Sequence, residues 1–365
     1  MQFIDLVGQY DIYKKEIDER IHQVLISGQY IQGHEVKELE KKLAKYCGAK
    51  YCTTVANGTD AIQIALMALD LKVGDEIICP SHTWISTASA AAVLGLKVKF
   101  VDVDIDTFNL CTKDLRKKVS DKTKVIIAVS LYGQCPNFDE INKIAEEYSI
   151  TVIEDAAQSF GSTYKGKNSC NLTSLSTTSF FPTKPLGCYG DGGAVFTSDP
   201  ALAEKVDMIS KNGQKIKHKH EIIGLNSRLD SLQASVLDVK LKYFDLESDL
   251  RRKVAKKYDE GLSKFSEKIQ IPRINSSNDS VYAQYVIKSD NRDFLKDQLQ
   301  HKGIPSVVYY PVPIHMQPMF KDSYKALPNT ERLMNEMLAL PFSSYIKDSD
   351  QKKVVQAIDL ILSIE

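Results

Sequence analysis

Lys184 stands between two prolines and ahead of four glycines in the stretch SFFPTKPLGCYGDGGA, residues 179–194. Pro182 and Pro185 restrict the backbone around it, Phe180 and Phe181 give an apolar approach, and Gly187, Gly190, Gly192 and Gly193 permit close backbone contact. A lone lysine in a loop is ordinarily a solvated charge. In apolar surroundings its cationic form is disfavoured, and a neutral amine is what Schiff-base chemistry with a carbonyl cofactor requires.

A second chemical group precedes it. Asp155 ends the apolar run ITVIED, on what reads as a strand neighbouring the one that leads to Lys184. An isolated aspartate at a strand-to-helix turn is more often a helix N-cap. Pyridoxal 5'-phosphate chemistry, however, needs a carboxylate against the pyridine nitrogen, because the protonated ring accepts electrons from the substrate carbon. The two roles are compatible. In VANGTDAIQIALMALD an Asn-Gly turn opens an apolar-faced helix, whose free N–H groups and dipole suit a phosphate once Gly58 removes the obstructing side chain. Ser179 offers a hydroxyl to the same phosphate or simply ends a strand. Trp84, the only tryptophan, follows a predicted strand and either fills the core or covers one face of a flat heterocycle.

These residues need a scaffold that brings strand ends together. EVKELEKKLAKYC (35–47) repeats apolar residues at helical spacing, IICP (77–80) and VKFVDVD (98–104) read as strands, and KVIIAVSLYG (124–133) reads as a buried strand. NFDEINKIAEEYS adds an amphipathic helix before ITVIED. This alternation predicts a mainly parallel sheet with helices on both faces, where ligands collect beyond the carboxyl ends of the strands. Residues 229–265 read as nearly continuous helix, then VYAQYVIKS (281–289) as a strand, RDFLKDQLQHKG (292–303) as a helix, and about 350–363 as a final helix. A boundary near residue 245, inside the long helix, divides the chain into a large domain, 1–245, and a small C-terminal domain, 246–365.

Composition narrows the class. The 47 basic residues balance 47 acidic ones, which argues against nucleic acid as main partner. The N-terminus is charged within its first turns, unlike a signal peptide, and no segment reaches the ~20 apolar residues of a membrane span, so a cytoplasmic enzyme without a membrane partner is expected. Seven scattered cysteines without a CxxC pair favour free thiols, and His218 and His220 in KHKH lie among lysines, so no metal site is expected.

Four ordered motifs, ANGTDA, EDAAQSFG, SFFPTKPLGCYGDGGA and GLNSRLDSLQAS (224–235), resemble the sugar-nucleotide aminotransferases of the DegT/StrS family, and the likeness runs nearly end to end, from FIDLVGQY to VYYPVPIHMQP. The resemblance implies an α/β protein of the aspartate aminotransferase fold (PLP fold type I), with a mixed, mostly parallel sheet in the large domain and a smaller α+β domain. It implies Lys184 as the lysine that carries pyridoxal 5'-phosphate and later shuttles the proton, Asp155 on the ring nitrogen, and Gln158 near the ring hydroxyl. Gly58, Thr59 and Ser179 would hold the phosphate and Trp84 would stack on the ring. Asn226 would reach the phosphate of the neighbouring subunit's cofactor, which implies a homodimer with shared active sites. Arg228 and Tyr310 match substrate-contacting residues, whereas Tyr309 occupies a substrate-binding position where relatives tend to have histidine.

Within the family the chain is most similar to enzymes that aminate C3 of a UDP-3-keto-N-acetylglucosaminuronate for O-antigen or other surface polysaccharides, with L-glutamate as donor and a keto sugar nucleotide as acceptor. Other readings remain: a 3- or 4-aminotransferase for a different UDP- or dTDP-keto-6-deoxy sugar, or a PLP-binding sensor without turnover. Lys184 argues against the family's dehydratases, in which histidine replaces the lysine. A dinucleotide-binding module around YGDGGA lacks the strand-before, helix-after setting that such a turn needs.

Overall fold

The structure, a computed structural model, describes residues 1–323 and 325–363. Two helices lead the chain, α1 (Leu6–Ser27) and α2 (His34–Cys47). The Asp5 carboxylate accepts the Gly8 N–H at the start of α1, and Gly28 and Gly48 end the two helices in left-handed conformation. Strands and helices then alternate: β1 (Tyr51–Val55), α3 (Gly58–Met67), β2 (Glu76–Pro80), α4 (Ser86–Val93), β3 (Lys97–Val101), α5 (Thr112–Lys118), β4 (Thr123–Val129), α6 (Phe138–Tyr148) and β5 (Thr151–Asp155). A small hairpin, β6 (Thr163–Tyr164) and β7 (Lys167–Asn168), precedes β8 (Leu175–Ser179) and β9 (Gly193–Thr197). After α7 (Pro200–Ser210) comes a second hairpin, β10 (Gln214–Ile216) and β11 (Lys219–His220).

The large sheet has the order β1-β9-β8-β5-β4-β2-β3, with β9 antiparallel to both neighbours and the other pairings parallel. Its alternating side chains feed two cores. Ile77, Val125, Ile127 and Ile153 join one cluster with α3 and α4, while Ile78, Ile126, Ala128 and Val152 join another with α5 and α6. Helices therefore cover both faces, as near-continuous apolar strands require. Because β1 runs parallel to β8 through β9, the chain leaves β1, β2, β4, β5 and β8 at the same edge.

The long helical stretch is broken. It forms α8 (Ser231–Lys242) and α9 (Phe244–Leu262), separated at Tyr243, where φ is −106° and ψ 4°. The break lets adjacent rings serve different cores. Tyr243 stacks on Tyr13 of α1 with centroids 4.6 Å apart, while Phe244 turns inward against Tyr46 and Phe160. Farther along α9, Val254, Ala255, Tyr258 and Leu262 pack in a separate core with β12 (Ile269–Gln270) and the elements that follow. In order these are β13 (Asn278–Asp279), which pairs with β6, then β14 (Tyr285–Ser289), α10 (Arg292–His301), α11 (Pro328–Glu336), β15 (Met337–Leu340) and α12 (Asp348–Leu362), of which β14, α10, β15 and α12 supply this core. The strand expected over 281–289 begins only at Tyr285. Tyr282 has a positive φ of 47°, and the Ala283 N–H donates to the Tyr132 carbonyl, so residues 281–284 bend toward the large sheet before the ladder with β15 starts.

Phe244 is 1% exposed and closes the core beneath the Lys184 segment, together with Phe180, Leu186 and Cys188. Phe244→Ala should destabilise the fold by about 3–5 kcal/mol. A denaturant midpoint within experimental error of wild type would contradict that packing role.

Candidate active site

Lys184 lies in the loop between β8 and β9, where its N–H donates to the Phe181 carbonyl at 2.9 Å. The residue is half-buried, yet burial of the ammonium lowers its pKa, an effect tempered by attraction to Asp155. Asp155, at the end of β5, is buried; its Oδ2 accepts from the Thr87 hydroxyl at 2.9 Å and its Oδ1 from the Ala157 N–H at 3.2 Å. Burial raises its pKa, against those hydrogen bonds and the charge of Lys184. No ion pair joins the two among the described residues. For both groups desolvation outweighs mutual attraction, so the pocket favours a neutral amine and leaves the carboxylate suited to a further cationic partner.

Tyr132, just beyond β4, ties the neighbouring residues together from a left-handed conformation with φ 55°. Its N–H donates to Gln158 Oε1 at 2.9 Å, and Gln158 Nε2 donates to the Tyr310 hydroxyl at 3.1 Å. The Tyr132 hydroxyl donates to the Tyr309 carbonyl. Since that proton is committed, His82 Nε2, 3.1 Å away, must be the donor to the Tyr132 oxygen. Burial lowers the His82 pKa to about 4, so the ring is neutral, and its buried Nδ1 has no partner among the described residues. The ring of Tyr310 lies 6.0 Å from that of Trp84, which is 57% exposed. Trp84 is therefore open to a ligand on the solvent side, not packed in the core.

The turn from β1 into α3 forms a cradle. Asn57 caps the ten-residue helix by accepting the Asp60 N–H, leaving the N–H groups of Gly58 and Thr59 at its open end. A Cβ on Gly58 would lie 2.6 Å from the Cβ of Ser179, and one on Gly193 would lie 2.5 Å from the Asn57 carbonyl oxygen. The two glycines thus let β8, β9 and the helix end close together. Ser179 Oγ accepts the Phe181 N–H at 3.2 Å, and Thr59 shares a 2.7 Å hydrogen bond with Ser86. Two hydroxyls, two free N–H groups and a helix dipole fit a phosphate; Asp155 fits a protonated ring nitrogen; Lys184 fits an aldehyde carbon.

The edge brings together Gly58, Thr59, Trp84, Asp155, Gln158, Ser179, Lys184 and Tyr310. Tyr309 differs: its carbonyl holds Tyr132 and its ring packs toward Phe3 and an interior cluster. Asn226 is exposed and Arg228 half-buried, and neither side chain hydrogen-bonds to this group. Their segment is nevertheless anchored beside it, because Ser227 Oγ accepts the Ala56 N–H at 3.1 Å. Thr87, Tyr132 and His82 were not apparent as site residues from the sequence. SHTW supplied a weak signal, since His82 lies two residues from Trp84; Thr87 and Tyr132 act through partners distant in sequence.

Residues 11–359 match the DegT/DnrJ/EryC1/StrS aminotransferase family. A UDP-2-acetamido-2-deoxy-3-oxo-D-glucuronate aminotransferase of Pseudomonas aeruginosa is 48% identical over 98% of this chain and 99% of its own. A crystal structure of a DegT/DnrJ/EryC1/StrS aminotransferase from Brucella abortus superposes with a TM-score of 0.95 at 39% identity, covering 98% of both chains. A Bacillus subtilis structure with bound cofactor PMP superposes with a TM-score of 0.90 at 31% identity, covering 96% of this chain and 82% of that one. These likenesses give the fold as that of the type I PLP aminotransferases.

With its pKa lowered by burial, Lys184 loses its proton at a lower pH than a solvated lysine does. In cofactor-free protein, competitive labelling with an amine reagent read by mass spectrometry should give Lys184 a midpoint below the ordinary lysine value of 10.5. A midpoint at or above that value would refute the desolvated setting.

Proposed function

The chain belongs to the DegT/DnrJ/EryC1/StrS aminotransferase family, and we propose that it moves an amino group from L-glutamate to C3 of a UDP-3-keto-N-acetylhexosaminuronate for O-antigen or other surface polysaccharide synthesis. It is a PLP-dependent transaminase. The observation that carries the reading is the shared burial of Lys184 and Asp155 at an edge where a phosphate cradle and an exposed tryptophan also converge. The relative from Pseudomonas aeruginosa supports the choice of sugar.

Pyridoxal 5'-phosphate, when bound, supplies a protonated ring that takes up the electron pair released at the substrate carbon. Asp155 holds the ring-nitrogen proton, and Thr87 with the Ala157 N–H keeps its carboxylate from turning away. Gly58, Thr59 and Ser179 receive the phosphate. Gln158, fixed by the Tyr132 N–H, presents its amide near the ring hydroxyl, and Trp84 excludes water from one face. Lys184 Nζ, whose cationic form burial disfavours, would take a proton from the donor carbon and deliver it during the two halves of the exchange. Tyr310 borders the acceptor sugar. Tyr309, where similar enzymes tend to have histidine, is the feature that favours a different keto sugar as a second reading; locating the new amine by NMR after reaction with several sugar nucleotides separates the two.

The partner in this reading is a second copy of the chain. Asn226 and Arg228 would complete the neighbouring subunit's site, Asn226 at the phosphate and Arg228 at a uronate or diphosphate. The setting we propose is the cytoplasm; among the described residues no helix is long and apolar enough to cross a membrane, and all seven cysteines are free thiols.

Three outcomes are expected. Purified holoenzyme should show parallel initial-rate lines for L-glutamate and keto sugar, and Lys184→Ala should abolish transfer while keeping the fold; intersecting lines, or turnover by the variant, would overturn the scheme. Mixing Lys184→Ala with Arg228→Ala under subunit exchange should restore about a quarter of wild-type activity, because each hybrid dimer holds one intact site. Additive residual activities without restoration would exclude shared sites.

A further inference from the structure

A second buried lysine, Lys240 near the end of α8, has no part in the transfer chemistry described above. It is 2% exposed, and its ammonium donates to the Gly187 carbonyl at 2.7 Å while lying 4.2 Å from the centre of the Tyr189 ring. Burial lowers its pKa to about 8 against the attraction of Glu247 and Cys188, and no carboxylate forms an ion pair with it among the described residues. An ammonium desolvated in this way costs stability at pH 7, which an apolar side chain of similar shape would not.

The carbonyl it holds lies at the neck of the loop that carries Lys184. A Cβ on Gly187 would lie 2.5 Å from the Pro182 carbonyl oxygen and 2.7 Å from that of Phe181, so the returning chain is pressed against the outgoing one. Backbone bonds close the neck from within: the Phe181 carbonyl accepts the Lys184 N–H at 2.9 Å, and the Phe180 carbonyl accepts the Cys188 N–H at 2.8 Å. From outside it is held by one face of α8, where Gln233 and Lys240 stand two turns apart. Gln233 Oε1 accepts the Tyr189 N–H at 2.9 Å, and Lys240 takes the Gly187 carbonyl. A charged donor makes the stronger of these two bonds.

We propose that Lys240 is a positioning residue for Lys184, clamping the neck of its loop to α8 through the Gly187 carbonyl. This assignment rests on the aminotransferase reading and adds to it a support that acts through the backbone, not on the substrate. Releasing the neck has two consequences. The Lys184 amine gains water, which restores its cationic form, and it loses alignment with the reacting carbon, which slows the proton transfer more than it weakens donor binding.

Two readouts of Lys240→Met test the clamp. In cofactor-free variant shown by circular dichroism to be folded, competitive amine labelling should move the Lys184 midpoint upward from its wild-type position, toward the ordinary lysine value of 10.5. In the holoenzyme, cofactor absorbance after mixing with saturating L-glutamate should show the first half-reaction slowed about 10- to 100-fold, with half-saturation within about threefold of wild type. Lys240→Gln, which keeps a neutral donor, should fall between Met and wild type in both readouts, and it serves in place of Lys240→Met should that variant fail to fold. In a folded variant, an unmoved Lys184 midpoint or a half-reaction within about twofold of wild type would overturn the assignment. Wild-type holoenzyme that no glutamate concentration converts would defeat the transfer reading itself, whereas labelling of the cofactor-free protein tests the clamp independently of turnover.

Discussion

Desolvation of an amine and a carboxylate in one pocket is the constraint on which the strand edge depends. Taken out of water separately, Lys184 and Asp155 would each cost far more than any hydrogen bond returns. Placed together they offset part of that cost, but not all, since burial shifts each toward its neutral form. The remainder is chemically useful. A neutral amine is a nucleophile and a base, and a carboxylate still short of a counter-charge is a place for a protonated heterocycle. The surrounding structure keeps the two groups from relieving the tension by turning toward solvent. Thr87 and the Ala157 N–H hold Asp155, while the Gly193 backbone, pressed against Asn57, closes the sheet behind Lys184.

Around that pair, position is passed along a chain of hydrogen bonds that begins at Tyr132. One residue holds both the Gln158 amide and the 309–310 segment, through its N–H and its hydroxyl. In the proposed assignment, the ring-hydroxyl side of the cofactor and the sugar side of the site would therefore share a single anchor. His82 fixes that anchor in turn, and its neutrality is part of the arrangement: a charged imidazole could donate from both nitrogens, but burial keeps the ring in one tautomer with Nε2–H toward Tyr132. Tyr309 contributes to this chain through its backbone, so replacing its side chain alters the pocket wall without removing the bond that holds the segment.

The sequence made the alternating half of the fold legible because its signal is local. Strands such as Thr123–Val129 and helices such as Phe138–Tyr148 carry their own periodicity, and the residues at their ends inherit their placement from the parallel sheet. Asp155 and Gly58 stand out for the same reason, each at an end of an element whose type is readable, and Lys184 stands out through the prolines and glycines of its own loop. What was hidden depends on pairing across the chain. The break at Tyr243 follows from two adjacent rings finding different cores, and the late start of β14 follows from Tyr282 and Ala283 being drawn to Tyr132. Arg251 is indistinguishable from Arg252 in LRRKVAKKY until packing buries one and leaves the other paired with Asp249 at the surface.

The two arginines show how α9 links the cores to the chemistry. Its outer face carries surface ion pairs that contribute little to stability, such as Arg252 with Asp249 and Lys257 with Asp348. Its inner face begins with Phe244 under the Lys184 segment, passes Glu247, bound to Gln9 and Tyr345, and Arg251 at the wall of a narrow cavity, and ends with Val254, Tyr258 and Leu262 in the core around β12 and β14. One rigid helix thus sets the distance between the loop that carries Lys184 and the sheet that follows it. A polar residue placed midway along such a helix cannot move to satisfy itself, because aromatic packing fixes both ends. An under-satisfied guanidinium at that point is therefore held where it stands, and the stability it costs is offset by the apolar contacts on either side.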